Sequence, residues 1–569
     1  MAQPTPKDRP LLGRTCLAAG LLVSFLLCLG PIMNPDLPWH LASGRQIAHT
    51  MSFPRQDFLS WTKAGQPWID FEWATQLLYY TLDLIGGTMA LWALKVAGFF
   101  TLTLLLTALL FLWELPVRWI ALAAPAFIAA LEPSVDLRPE IFSFLFFMAE
   151  LYALEKRRLG LMRRGDGILL AVHAAIYSLW ANLHAGFPTG LALCALYGLA
   201  QRGTLREKFK ISSPLAWAAA GLIGTFLNPY GPRLYWILWD HMRHLRILSI
   251  LIIEWGPPTF SNWYDHCYWL LLCFSLLGII LALAQKIHLH REHLFAIAVF
   301  GLLSSRTFRT TSYAALLVFP LSLPYWGALS WRPRWKAFRA PLLAAAVAFA
   351  AWRTGHIVRD EGFLRRLTSH ELQPVAAADF LRREKAALSG LRLFNPWNWG
   401  GYLDYALYPD YRVFMDGRYI FTDLLTAVAS MRNNPTRFQN FLDRQRIELV
   451  LMDNDRHVVR LGNVLPLRPF HAYAMPSPDW AMVYWDSQAM ILVRRSSAPP
   501  GWLKRREYRL LRPHDLRQLG LSILSGYVTM EEVSAEISRY GREIGDPYQN
   551  LILARWLAEF RKGLSKSGG

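Results

Sequence analysis

Long apolar runs separated by short charged connections fill the first part of the chain. From Leu11 to Trp352 these runs are about 15 to 25 residues long, the length a helix needs to cross a bilayer, and beyond Arg353 they stop. The segments that read as spans are Leu11–Met33, Met89–Trp113, Val117–Leu131, Ile141–Leu154, Ile168–Leu183, Phe187–Ala200, Pro214–Leu227, Cys267–Ala284, Leu294–Leu303, Ser312–Leu329 and Phe338–Trp352. The stretch Trp73–Ile85 is apolar but short and reads as an interfacial helix. After Arg353 the pattern shortens and alternates. "LRLFN" and "YRVFMD" read as strands, "FTDLLTAVASM" and "RFQNFLDRQ" as helices, "IELVLMD" as a strand, and "WAMVYWD" with "AMILVRR" as a hairpin. His514–Lys562 reads as helices. The fold class expected is therefore a polytopic α-helical membrane protein of about eleven spans, carrying a C-terminal α/β domain that ends in helices. The expected boundaries are 1–352 for the membrane part, with 34–72 as its first outer loop, 353–500 for the α/β domain and 501–569 for the helical end.

Composition sharpens this picture. The chain has 569 residues, 53% hydrophobic and 18% charged, with a mean hydropathy of +0.21; soluble chains carry roughly a quarter charged residues. Its net charge of +19 would suit nucleic acid in a soluble protein. In a chain of spans it reports topology instead, because cytoplasmic loops collect Lys and Arg. Placing the amino terminus inside puts "EKRRLGLMRRGD", "QRGTLREKFK", "QKIHLHREH" and "WRPRWKAFR" in the cytoplasm. The carboxy-terminal domain then lies outside, which for a bacterial inner membrane is the periplasm. Leu17–Leu29 reads as an uncleaved first span rather than a signal peptide. The five cysteines all sit in or beside apolar runs, which excludes a disulfide framework or a CxxC metal knuckle. No Walker pattern, HExxH or nucleophile elbow occurs, against ATP-driven transport and hydrolase chemistry.

Under this topology the chemistry collects on the outer face. The first outer loop opens with "MNPDLPWHLASG", bringing Asp36, Trp39 and His40 directly after an apolar run. Asp36 suits an N-cap for a helix beginning at Leu37, a role compatible with chemistry. "LEPSVDLRPEI" adds Glu132, Asp136, Arg138 and Glu140; "NLHAGF" adds His184; "IIEWGPP" adds Glu254; and "SSRTFRT" adds Arg306 and Arg309. The basic amphipathic "WDHMRHLR" reads as a surface helix on anionic headgroups. Ionisable groups at bilayer depth are costly unless paired or hydrated, so such a gathering marks a site. Arginines hold a phosphate through charge-assisted bonds, and a carboxylate accepts the proton of an attacking hydroxyl. A divalent cation, Mg or Mn, held by Asp36, Glu132 and Asp136 is an alternative way to neutralise the leaving group. In the soluble domain, "WNWGGYLDY" and "MDGRYIFTD" are the unusual pieces. Gly400–Gly401 suits a tight turn or a close backbone approach, and Trp399, Asp416 and Arg418 are candidates to hold an acceptor.

An inside amino terminus, one span, and then a long outer loop opening with Asp resembles the layout of the GT-C superfamily of integral-membrane glycosyltransferases. "NPDLPWHLASGRQI", "FPRQDFLSWTKAGQPWIDFEW", "LRPEIFSFLFF", "WANLHAGF" and "NWGGYLDYALYPDYRVFMDGR" are similar to segments of a bacterial branch of that group. The resemblance implies a donor sugar linked to polyprenyl phosphate, with Asp36 at the position of the acidic residue of the first outer loop and Asp136 in the second acidic loop. It implies single displacement with inversion. No D-x-D pair stands in either loop, and the Asp of the oligosaccharyltransferase WWDYG motif is replaced by Asn398 in "NPWNWGGY", so sequon binding is not carried over. The reading is a transferase with catalytic Asp36 and Asp136, donor phosphate on Arg306, Arg309 and Arg138, and acceptor or substrate contacts from His40, Trp39, His184, Glu254, Trp399, Asp416 and Arg418. The alternatives are a flippase for lipid-linked glycans, using the same arginines without chemistry, and a non-catalytic envelope scaffold.

Overall fold

The computed structural model of the chain describes residues 10–162, 167–204, 213–261, 263–330, 373–460 and 467–567, with single positions between them. It forms two compact units. The first holds Met1–Pro54 and Ile69–Ser369, and the second holds Arg55–Trp68 and His370–Gly569.

The first unit is helical. Its helices are α1 (Pro10–Leu27), α2 (Leu37–Thr50), α3 (Trp73–Leu112), α4 (Val117–Leu131), α5 (Glu140–Arg158), α6 (Gly167–Leu183), α7 (Phe187–Ala200), α8 (Pro214–Thr225), α9 (Leu234–Leu251), α10 (Trp263–Ala284), α11 (Arg291–Ser304) and α12 (Phe319–Ala328). The apolar runs thus lie on helices, except Phe338–Trp352, which falls largely outside the described residues. Among the described residues, Trp73–Leu112 and Asp265–Ala284 are long and apolar enough to cross a membrane singly. The remaining apolar helices are shorter, for example Gly167–Leu183 and Phe187–Ala200.

Trp73–Ile85 becomes the first section of α3. A break at Gly86 (φ −145°) and Gly87 (φ 56°) separates it from the section that continues to Leu112. The left-handed φ at Gly87 is open to glycine at little cost, so the sequence bends the helix where the two segments meet. Aromatic side chains such as Phe99, Phe127, Phe147, Tyr177, Trp180 and Trp217 fill the interior, while Leu104, Leu179, Ile223, Leu270, Ile280 and Leu302 stand exposed on the outside. An apolar exterior on that scale needs an apolar medium or partner. One buried charged knot ties five elements. The Glu155 carboxylate accepts from Trp113 Nε1 (2.7 Å), Arg158 Nε (2.9 Å) and Tyr197 OH (2.8 Å) and faces His293 Nε2 at 3.0 Å. His293 Nδ1 meets Tyr325 OH at 2.9 Å. A buried carboxylate persists only when its lone pairs are met in this way.

The second unit is built on a mixed four-stranded sheet in the order β1-β2-β6-β5, from β1 (Leu393–Phe394), β2 (Leu449–Asp453), β5 (Trp480–Trp485) and β6 (Ala489–Arg494); β3 (Val458–Val459) and β4 (Arg468–Pro469) pair separately. β1 and β2 run parallel, and β6 lies antiparallel between β2 and β5. Alternate residues enter opposite cores. Leu449, Leu451 and Ile491 join one cluster, while Val450, Met490 and Leu492 join the other. Both faces are therefore covered, and this is why the strands read as unbroken apolar runs. The expected helices appear at Thr422–Ala429, Pro435–Arg444, Met530–Glu543 and Pro547–Ser567.

Two expectations change here. "YRVFMD" is not a strand of the sheet. Its Val413 forms only an isolated parallel bridge to Ser60, and Trp61 N donates to Val413 O at 3.1 Å. The first outer loop, expected to belong wholly to the membrane part, therefore sends Arg55–Trp68 into the second unit. And Gly400–Gly401 forms no turn but sits inside the helix Trp397–Leu407, where a Cβ on Gly400 would stand 2.0 Å from Met415 O. The close backbone approach is its reason.

Candidate functional site

Three clasps between distant loops of the first unit build the site. In the first, Met33 N and Leu137 N donate to Asp136 Oδ1 at 3.0 and 2.7 Å, and Asn34 Nδ2 donates to Leu137 O at 2.8 Å. This pins "MNPD" against "VDLRPE". In the second, Trp73 Nε1 donates to Asn182 Oδ1 (2.8 Å) and Thr75 Oγ1 to Leu183 O (2.7 Å), so Glu72 at the start of α3 meets the loop holding His184. In the third, Phe308 N donates to Gly256 O at 2.6 Å, joining the loop of Glu254 to that of Arg309.

Asp36 precedes α2, and Pro38 is accommodated in the first turn, but the Asp36 side chain makes no capping hydrogen bond. Its carboxyl lies within electrostatic reach of Arg138, Glu254 and Arg309. Burial pushes it above the ordinary carboxylate range, against the pull of Arg138. Glu72 is pushed well above its usual value, first by burial and then by Asp70, Asp36 and Glu140, with Arg309 opposing. His184 Nδ1 accepts from Gly186 N at 3.1 Å and meets Ser143 Oγ at 2.7 Å, so the neutral ring carries its proton on Nε2, which stands 3.8 Å from Glu72 Oε1. Burial and then Arg309 bring His184 down to about 3. His40 is buried, its ring stacked 3.8 Å from that of Trp39, and burial and His184 lower it to about 3 as well. Both imidazoles are uncharged near neutrality.

The two arginines of the cluster differ. Arg138 is held by Glu254 in a two-pronged pair of 2.8 and 2.6 Å. That pair takes up both the expected phosphate ligand and the expected acceptor contact. Arg309 has no ion pair among the described residues and packs over Trp255 at 5.4 Å. It biases Asp36, Glu72, Glu140 and Glu254 electrostatically, so it is central to the acidic cluster and available to an anion. A cavity of about 470 Å³ opens beside these loops, lined among others by Met33, Glu132, Asp136, Glu254, Asp265 and Phe308.

The expected residues divide as follows. Asp36, Trp39, His40, Asp136, Arg138, His184, Glu254 and Arg309 come together in the first unit. Asp136 is used as a clasp, with Oδ1 saturated by two amides. Arg306 is exposed and enters none of the electrostatic couplings of Asp36, Glu72 or Glu140. Trp399, Asp416 and Arg418 lie in the interior of the second unit instead of on a binding surface. Arg418 pairs with Asp416 (2.6 Å) and Asp57 (2.7 Å) and stacks under Trp68 at 4.5 Å. These groups are consumed by one another. Among the described residues no group of three or more His, Cys, Asp or Glu side chains is placed to hold a metal ion. Asp136 already spends one oxygen on amides, and Glu132 is exposed, so the set Asp36, Glu132 and Asp136 does not fit a cation. Glu72 and Glu140, which the sequence places among the carboxylates of the outer loops without a role of their own, join this cluster, each at the start of an apolar helix.

No family model and no curated relative matches the sequence. Solved structures do. The Archaeoglobus fulgidus oligosaccharyltransferase, tethered through a disulfide bond to an acceptor peptide containing the NVT sequon, matches over 95% of this chain and 87% of its own, at 11% identity and a TM-score of 0.52. Its apo form matches over 86% of this chain and 75% of its own, at 10% identity and a TM-score of 0.52. ArnT from Cupriavidus metallidurans bound to undecaprenyl phosphate aligns over 85% of this chain and 98% of its own at 13% identity, with a TM-score of 0.38. The chain shares its fold with the Archaeoglobus fulgidus oligosaccharyltransferase.

Proposed function

We propose that this chain is a membrane glycosyltransferase that moves a sugar from a polyprenyl-phosphate-linked donor to an acceptor at the outer face of a bacterial inner membrane. The observation that carries the reading is the Asp36 carboxyl. It stands at a helix start without a capping hydrogen bond, within electrostatic reach of Arg309, which has no ion pair among the described residues. Asp36 takes the proton of the acceptor hydroxyl or amide as its oxygen or nitrogen attacks the anomeric carbon. The bond from that carbon to the phosphate oxygen breaks, and the lipid phosphate leaves with the electron pair. Arg309 holds the leaving phosphate, where a guanidinium acts with most effect because water is excluded. A carboxylate with a raised pKa is a stronger base for this step than an exposed one. Single displacement inverts the anomeric centre.

His184, uncharged near neutrality, contributes hydrogen bonding without adding charge near the donor phosphate. The Arg138–Glu254 pair fixes the second acidic loop. The scheme has no metal step.

The experiment is a transfer assay with the purified chain in lipid and a set of polyprenyl-phosphate sugars. Turnover by the parent that falls by about 10² or more in Asp36→Asn, with the variant still folded, supports the scheme. Turnover unaffected by that change removes Asp36 as the base. Lipid flipping in vesicles without turnover on any donor replaces the enzyme by a transporter.

A further inference from the structure

The second unit contains a pocket that the transfer scheme does not use. It has a volume of about 360 Å³, within the ~300–1,000 Å³ of small-molecule sites. Its position follows from the sheet. β1 ends at Phe394 and β2 at Asp453, the two are parallel neighbours, and Phe394, Pro396, Asp453 and Asp455 at and just beyond their carboxyl ends line the pocket. That edge is where open α/β sheets receive ligands, because the connections diverge there and leave a crevice.

The lining has two parts. Phe394, Phe438, Phe470 and Met490 make an apolar, mostly aromatic floor, and all are buried. Around it stand Asp453, Asp455, Arg432, His457 and His471. Several of these are already engaged. Asp455 Oδ1 accepts from His457 N at 3.1 Å, and His457 Nε2 meets Arg432 O at 3.1 Å. Others are not. Among the described residues the Asp453 carboxylate takes a bond from its own backbone N–H but none from another side chain, and the Arg432 guanidinium, within its electrostatic reach, has no ion pair. His471 is 2% exposed, and its Nε2 has no hydrogen-bond partner. An orphaned buried ring nitrogen costs stability unless something supplies its bond.

The ligand class follows by elimination. A bare anion would face two carboxylates. A bare cation would face Arg432. A wholly apolar ligand would cover Asp453 and the His471 nitrogen without satisfying them. What remains is a ring with an apolar C–H face and a rim of groups that both donate and accept. We infer that this pocket is a saccharide-binding site, in which a pyranose lies on the Phe floor and its hydroxyls bond to Asp453, Arg432 and His471. The site stands independently of the transfer chemistry of the first unit. Burial, reinforced by Asp455, lifts Asp453 to about 6. Its ionised form, the better acceptor, is therefore lost on going from pH 7.5 to pH 5.

The test is saturation-transfer NMR and calorimetry on the full chain in lipid nanodiscs, free of sugar-based detergent. The probes are methyl β-glucoside, N-acetylglucosamine, maltose and N,N′-diacetylchitobiose. At least one is expected to bind. Asp453→Asn and Arg432→Ala should each weaken it about tenfold, and lowering the pH to 5 should weaken the parent but not Asp453→Asn. Both positions lie at the rim, so the variants should keep the parent's circular dichroism. No saturation transfer to any probe, binding unchanged in both variants, or displacement of the sugar by millimolar inorganic phosphate would each overturn the inference.

Discussion

At the residue scale the chemistry turns on which charged groups are already taken. Arg138 and Arg309 look alike in sequence, each in a short polar loop between apolar runs. The structure separates them by partner: Arg138 closes on Glu254 through two bonds, and Arg309 closes on no carboxylate among the described residues. Arg306 is exposed, three positions from Arg309. The proposed scheme therefore predicts an asymmetry. Arg309→Ala should lower kcat for lipid-linked donors by about 10² to 10³, the usual loss when one preorganised donor to a developing negative charge is removed. Arg306→Ala should change it less than twofold. Steady-state kinetics on both variants check this, and equal losses would mean that the two act as a diffuse positive surface. That these loops hold a shared set of ionisable groups was legible from the sequence, because carboxylates and arginines cannot stand at the ends of apolar runs without a reason. Their division into free and paired groups was not, since Arg138 and Glu254 are far apart in the chain and nothing local announces their contact.

At the element scale the apolar periodicity carried most of the fold. It marked α4 and α7 to the residue and placed the break in α3 at the Gly86–Gly87 step between two apolar segments. It failed at "YRVFMD", whose alternation of apolar side chains has the strand period. The backbone there instead receives the first-loop segment, with only Val413 bridged to Ser60. Periodicity reports which side chains are buried, not which backbone pairs with which. Close approach between elements was equally hidden. A Cβ on Gly44 of α2 would stand 2.1 Å from Gln76 O of α3, so backbone meets backbone with no room for a methyl group. Gly44→Ala must push α2 away from α3, and Asp36 sits at the start of the displaced helix. We expect turnover to fall with little change in donor KM, together with a drop of several degrees in Tm. Kinetics and thermal unfolding in lipid check both. An unchanged Tm would show that α2 shifts freely and that its position does not matter to Asp36.

At the scale of the whole molecule the chain leaves the first unit at Pro54 and returns to it at Ile69, and the excursion between belongs to the second unit. The excursion is bonded into the second unit. Trp61 Nε1 donates to Leu393 O at 2.8 Å, Thr62 Oγ1 to Phe414 O at 2.5 Å, and Lys63 pairs with Asp423 at 2.6 Å. Asp57 supplies one of the carboxylates around the buried Arg418, and Trp68 covers that guanidinium. Burial and then Asp416 push Asp404 well above the carboxylate range, and Arg418 pairs with Asp57 and Asp416. Removing one partner from a buried ion pair costs about 3–5 kcal/mol, a large share of the ~5–15 kcal/mol that holds a domain folded. Residues 370–569 expressed alone would lose Asp57, Trp61, Thr62 and Trp68 together. That fragment should bind hydrophobic dye and unfold at a lower temperature than the same fragment joined through a flexible linker to residues 55–68. Asp57→Asn in the joined fragment should recover only part of the difference, because it keeps the Trp61 and Trp68 packing but not the charge. Equal unfolding temperatures for the two fragments would show that the excursion is a passenger on the second unit. A gap of several degrees would show that the loop carrying Asp36 at its start is also a structural part of the second unit.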